Sequence, residues 1–214
     1  MLFTRPYAAF NLGRMKPLRW AALLAFVLAP LSSFGWTIFP DERMRPDKST
    51  PELVAMFEEF KESAEKGDIQ AQFKLGFCYY IGCGVPARDY KLAVECYRKA
   101  AEAGLADAQF ELGSEYGGAS KVLDKNTELY LKWVMKAAAQ KYPKAYHSLG
   151  ASYDLGIGVP KDEIEGYAYY NLAASDLPWS RRCRDDMEKN MTSEQRLAGQ
   201  KRSKEILKEL EAKK

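Results

Sequence analysis

Ala71, Ala108 and Ala145 lie 37 residues apart, as do Leu75, Leu112 and Leu149, then Gly76, Gly113 and Gly150, and finally Tyr79, Tyr116 and Tyr153. Four columns held in register through three copies constrain the chain more than any other feature. A unit of this length cannot bury its own apolar faces, so copies must stack to complete a core. Leu75 to Pro86 (LGFCYYIGCGVP) and Leu149 to Pro160 (LGASYDLGIGVP) are near-copies of each other. The middle copy reads YGGASKVLDKN after its Leu-Gly, keeping Gly117 and Gly118 but lacking G-x-G-V-P, which leaves its turn geometry open.

Each copy has two halves. In A-x-x-x-L-G-x-x-Y the Ala, Leu and Tyr fall at i, i+4 and i+8, one face of a helix. A glycine inside a helix costs roughly 1 kcal/mol relative to Ala, so its recurrence predicts a second helix too close for a Cβ. Gly82 and Gly156 are placed to end the helix in a left-handed conformation, and Pro86 and Pro160 bar its resumption. The second half opens at Asp89, Asn126 and Asp162, good N-caps, and runs to the Ala pairs 100–101, 137–138 and 173–174. Ala93, Tyr97 and Ala100 share one face there, and Gly104 closes the first such helix. The pattern predicts an all-α chain, a right-handed α/α solenoid of three helical hairpins.

Both ends read as lids. STPELVAMFEEFKESAEKG has Ser49 or Thr50 as cap, Pro51 in the first turn, and Leu53, Met56, Phe57, Phe60 and Ala64 on one face. Beyond the repeats come two polar helices, the second opened by Thr192 and Gln195 in a capping-box arrangement. The expected organisation is a signal over 1–35, a linker over 36–50, a capping helix over 51–66, repeats over 67–104, 105–141 and 142–175, and capping helices over 176–214.

Lys16 and Arg19 precede the uncharged run Trp20 to Leu31, followed by Ser32, Ser33 and Gly35, which reads as a secretory signal, with Met15 as an alternative start. The run is too short to cross a hydrocarbon core of ~30 Å, so no stable membrane span is expected once it is removed. The expectation is export to a periplasm or the medium; retention at the membrane by an uncleaved N-terminal segment is the alternative. A net charge of +3 over 32 basic and 29 acidic side chains sets up no field that would recruit nucleic acid. With one His and no C-x-x-C among Cys78, Cys83, Cys96 and Cys183, neither a metal site nor any other cofactor is expected.

The pattern A-x-x-x-L-G-x-x-Y-x-x-G-x-G-V-x-x-D followed by A-x-x-x-Y-x-x-A-A resembles the Sel-one-like repeat, a relative of the tetratricopeptide repeat with a longer turn. The resemblance covers about Ala64 to Ser175, and NMTSEQRLAGQ resembles the closing helix of exported bacterial members. It implies scaffold or adaptor work, with an arc of helices holding a protein or peptide. Some exported, cysteine-rich members carry disulfides tying the two helices of a hairpin, and a few are connected with β-lactam binding or hydrolysis. For the first association the candidate pair is Cys78 and Cys96, on facing sides of one hairpin, either bridged or as buried thiols; Cys83 in the turn is the weaker candidate.

For the second, Ser63-Ala-Glu-Lys66 matches S-x-x-K, but no S-D-N or K-T-G follows. His147 is the one histidine and continues the column of Phe73 and Phe110, a packing or groove position. No catalytic residue is therefore assigned, and a hydrolase of cell-wall-related amides or β-lactams stands as the alternative function. The candidate binding face is Phe73, Phe77, Tyr80, Phe110, Ser114, Tyr146 and His147, on the side of the first helices away from the Ala–Leu stripe. These side chains either line the inner curve or pack against neighbouring hairpins.

Overall fold

The computed structural model describes residues 50–212, which form nine α-helices and no strand. The signal and most of the linker lie outside the described residues. In chain order the helices are α1 (Pro51–Glu65), α2 (Ile69–Ile81), α3 (Tyr90–Glu102), α4 (Ala106–Tyr116), α5 (Thr127–Ala139), α6 (Pro143–Leu155), α7 (Glu163–Ala173), α8 (Pro178–Glu188) and α9 (Ser193–Ala212). The hairpins are α2–α3, α4–α5 and α6–α7. Each helix packs on its successor from α1 to α8, and α9 returns to cover α7.

The glycine of each Leu-Gly pair is where the second helix comes closest. A Cβ at Gly76 would stand 2.9 Å from Cys96 Cβ and from the Tyr97 ring, one at Gly113 3.0 Å from Val134, and one at Gly150 2.7 Å from the Tyr170 ring. The Ala and Leu columns lie beside this contact and are buried throughout: Ala71, Ala108 and Ala145 with Leu75, Leu112 and Leu149. Tyr97, Val134 and Tyr170 complete the hairpin cores from the other side.

The N-caps expected from the sequence all form. Asp89 accepts from the Leu92 N–H, Asn126 from Leu129, and Asp162 from Ile164 and Glu165. The same three residues also close the hairpins, because their own N–H groups donate to the carbonyls of Tyr79, Tyr116 and Tyr153 at 2.9–3.0 Å. The repeated tyrosine therefore marks the point where the first helix hands a free carbonyl to the start of the second, which satisfies a backbone group at each helix end.

The middle turn follows the others more closely than its sequence suggests. Gly84 and Gly158 have φ of +70° and +72°, and Lys121, one period from each, adopts +61° without the freedom of glycine. At Gly84 a Cβ would collide with the Leu53 carbonyl and Phe57, and at Gly158 with Thr127 and Leu131. Leu53 and Phe57 stand two periods of 37 before Thr127 and Leu131. Helix α1 is thus the second helix of an incomplete leading copy, held in the common register, and Thr50 caps it through a 3.4 Å bond from the Leu53 N–H.

At the far end α8 begins like a fourth first helix: Ser180 is its third residue, as Ala108 and Ala145 are of α4 and α6, and it too is fully buried. Thr192 and Gln195 exchange the two bonds of a capping box. Arg202 of α9 bonds Glu165 of α7 and, at 2.6 Å, Glu209.

Gly150→Ala is expected to lower stability by about 1–2 kcal/mol, the overpacking against Tyr170 outweighing the better helix propensity of Ala. Lys121→Gly is expected to raise it by up to about 1 kcal/mol, relief of left-handed strain exceeding the added chain entropy. Shifts of the urea midpoint at constant m-value, in opposite directions, test both.

Candidate functional face

The seven candidate residues lie on α2, α4 and α6, and the structure divides them. Phe73 is 4 % exposed and its ring lies 5.6 Å from Tyr97; Tyr146 is 3 % exposed and 6.3 Å from Tyr169. Neither is available as a surface anchor. Each is needed to fill a hairpin interior, because the helix is thin enough that i+1 and i+2 from the Ala column still reach the neighbouring helix. The Tyr146 hydroxyl is buried with no protein partner, and burial pushes it up to about 12.

His147 also packs inward, against Tyr170 at 5.3 Å and edge-on to Trp179 at 6.3 Å. Its Nδ1 is 2.9 Å from the Ser180 hydroxyl. This Ser–His pair was not legible in the sequence, since it joins α6 to α8 across 33 residues. Ser180 is fully buried, so the pair is an inter-helix tie, and burial holds the His147 imidazole below its ordinary value.

Phe77, Tyr80, Phe110 and Ser114 remain half-buried. Tyr80 packs edge-on to Tyr90 at 5.2 Å, and Phe110 lies 5.5 Å from Tyr142 with the Lys144 ammonium 6.0 Å above it. Ser114 donates to the Phe110 carbonyl within its own helix. Among these stands Glu111, absent from the candidate set although it directly follows Phe110. Asp107 and Glu115 lie one helical turn to either side of it, and Asp107 accepts a 3.1 Å bond from the Tyr142 hydroxyl.

Burial pushes the Glu111 carboxyl up to about 7; Lys144 opposes the shift, and Glu115 and Asp107 add to it. Burial, Glu115 and Glu111 raise the Tyr80 hydroxyl to about 12. Glu111 is therefore a carboxyl that can donate as well as accept near neutral pH. Sequence periodicity missed it because Lys74 and Ser148 hold the equivalent positions, so nothing recurs there.

Cys78 and Cys96 are buried thiols, one of the two states expected of them, and the S-x-x-K match lies at the end of α1. The Cys96 thiol meets Gln72, under Gly76, while the Cys78 thiol is in hydrogen-bond contact with Cys83. All four cysteines are free thiols. The hairpin does bury Cys78 and Cys96, but the first turn folds Cys83 back over the helix end, and a turn's path is not written in helical periodicity. Lys66 binds Glu62 at 2.6 Å in an exposed ion pair at the end of α1. No cluster of His, Cys, Asp and Glu among the described residues is placed to hold a metal ion, and no helix there is long and apolar enough to cross a membrane.

The Sel1 repeat model matches residues 69–105, 106–142 and 143–176, half of the chain and within two residues of the periods read above. The chain belongs to the Sel1 repeat family. Repeats of this family generally mediate protein interactions. Two solved Sel1-type structures are similar. One is a protective antigen present in uropathogenic Escherichia coli strains, with an SLR fold, 29% identical over 71% of this chain and 32% of its own, TM-score 0.64. The other is a Sel1 repeat protein from Oxalobacter formigenes, 33% identical over 60% of this chain and 96% of its own, TM-score 0.54. The present chain thus spans about a third of the E. coli antigen's length. No curated protein matches it.

Glu111 also generates a pH signature for this Sel1 repeat face. A carboxyl raised from 4.5 to about 7 binds more protons in the folded than in the unfolded chain, so it subtracts stability as pH rises through that window. Glu111→Gln is expected to be more stable than the parent at pH 8 by about 1–3 kcal/mol, the lower end reflecting the part of the carboxyl that water reaches. The difference should close toward pH 4.5 in urea titrations run across the range.

Proposed function

We propose that this Sel1 repeat protein is a non-catalytic scaffold that holds a protein or peptide segment against the shared face of α2, α4 and α6, and that it works after export to a periplasm or the medium. The observation that carries the reading is the half-exposed set Tyr80, Phe110 and Ser114 around Glu111 and Lys144, with half-exposed Phe77 one turn before Tyr80 on α2. Aromatic rings beside a partly dry ionisable group are the composition of an interaction hot spot. The rings are held by helix packing, so their ordering cost falls on folding and not on association. Family membership supports the same reading.

A hydrolytic role has less support. The Lys66 amine is bound to Glu62, and Ser180 has no exposed surface from which to attack a substrate.

The test is affinity capture from the native compartment with the parent protein, a Phe77→Ala/Glu111→Lys double variant and Met135→Ala, whose side chain is 44 % exposed on α5. A specific partner should be retained by the parent and Met135→Ala and lost, by at least about tenfold, from the double variant. Retention by all three would overturn the assignment of the face. Nitrocefin turnover by purified protein, abolished in Ser63→Ala, would replace the scaffold reading with the hydrolytic one.

A further inference from the structure

The three hairpin turns provide an internal comparison, because each copy places two side chains at the same pair of positions five residues apart: Cys78 with Cys83, Glu115 with Ser120, and Ser152 with Ile157. In the first and third turns the backbone makes the same closure, with the Cys83 N–H donating to the Cys78 carbonyl at 2.9 Å and the Ile157 N–H to the Ser152 carbonyl at 2.8 Å. This bond brings the residue after the left-handed glycine back over the last helical turn. In the middle turn the matching pair is locked through side chains: Glu115 accepts from both the hydroxyl and, at 3.3 Å, the N–H of Ser120.

In the first turn both members are cysteines, buried at 1 % and 5 % exposure, with their thiols in hydrogen-bond contact. The third turn shows that burial at this position is not imposed by the backbone, since Ile157 stands 41 % exposed there.

We propose that Cys78 and Cys83 form a dithiol–disulfide site that covalently locks the first turn, with a protein or small-molecule disulfide as oxidant. The site is independent of the binding face. Contact with Cys83 and burial hold the Cys78 thiol above its ordinary value, while contact with Cys78 holds that of Cys83 below it, which favours the Cys83 thiolate. Cys83 is then the attacking sulfur, reached by the oxidant while the turn is still forming, because the folded turn leaves it only 5 % exposed. Its thiolate displaces one sulfur of the oxidant, giving a mixed disulfide and one free thiol. The Cys78 thiolate attacks Cys83 Sγ and expels the second. Two protons and two electrons pass from the protein to the oxidant, which leaves as two thiols. The lock ties the end of α2 to the turn whose Gly84 seats against Leu53 and Phe57, and so fixes the leading half-copy to the first complete one.

The experiment is refolding of the full chain from urea in mixtures of reduced and oxidised glutathione, followed by denaturing alkylation and mass mapping, with a parallel sample kept in urea. Trypsin releases Leu75–Arg88 carrying both residues, and bridging leaves this peptide without alkyl groups and about 2 Da below its dithiol mass, the two hydrogen atoms given to glutathione. Chymotryptic cleavage after Tyr79 and Tyr80 should leave two fragments joined until reductant is added. The bridge is expected to form at a reduced-to-oxidised ratio at least about tenfold higher in the folded sample than in urea. It should vanish in Cys83→Ser and survive in Cys96→Ser and Cys183→Ser. Recovery of Cys78 joined to Cys96, alkylation of both Cys78 and Cys83 at every ratio, or equal bridging with and without urea would each overturn the proposal.

Discussion

The spacing between the two helices of every hairpin rests on one contact, the absent Cβ of Gly76, Gly113 and Gly150 against Tyr97, Val134 and Tyr170. A side chain laid on bare backbone lets the helix axes approach more closely than an intervening Cβ would allow, and close-packed interiors do not absorb an added methyl without displacement. With that distance set, the Ala and Leu columns on either side reach full burial, and the tyrosine carbonyl one turn later comes within 2.9–3.0 Å of the next N-cap N–H. The hairpin is defined at its middle by packing and at its end by a backbone bond, and both recur without change in the copy whose turn sequence has diverged.

Stacking the hairpins creates a second set of constraints at right angles to the first. Tyr142 packs on Phe110 and Trp179 on His147, so a residue at the start of α6 and of α8 covers the first helix before it. The glycines of the G-x-G turns meet the preceding second helix in the same way, which is why α1 must keep register with copies that start well after it. The ends are partial repeats that supply only the face the neighbour needs. On α9 the buried Gly199, Ser203 and Ile206 meet the stack while its other side is charged, as a terminal unit of a one-dimensional array requires. The half-exposed face around Glu111 remains because the three first helices have no further layer to cover it.

The columns at period 37, the glycine contacts, the caps at Asp89, Asn126 and Asp162, and the all-α fold follow from the sequence, because each is a local rule applied three times: a helical face, a left-handed glycine, a side chain that accepts a free N–H. Repetition turned weak local signals into firm ones. It could not reach positions where the copies differ. Glu111 sits where its counterparts are Lys74 and Ser148, Lys121 holds a glycine's backbone angle unannounced, and Ser180 meets His147 across two helices. The sorting of the candidate rings was also beyond it, since Phe73 and Phe77 are both apolar on adjacent turns, yet Phe73 is buried against Tyr97 and Phe77 is left half-exposed.

Sequence by itself thus determined the unit, its count, its helices and how each begins and ends, because those depend on residues within a few turns of one another. Tertiary structure alone decided which rings stay reachable, which carboxyl loses its water, and that Cys83 folds back onto Cys78. Those properties arise where helices distant in sequence converge or a turn folds back, and burial there is a sum over neighbours that no single period records.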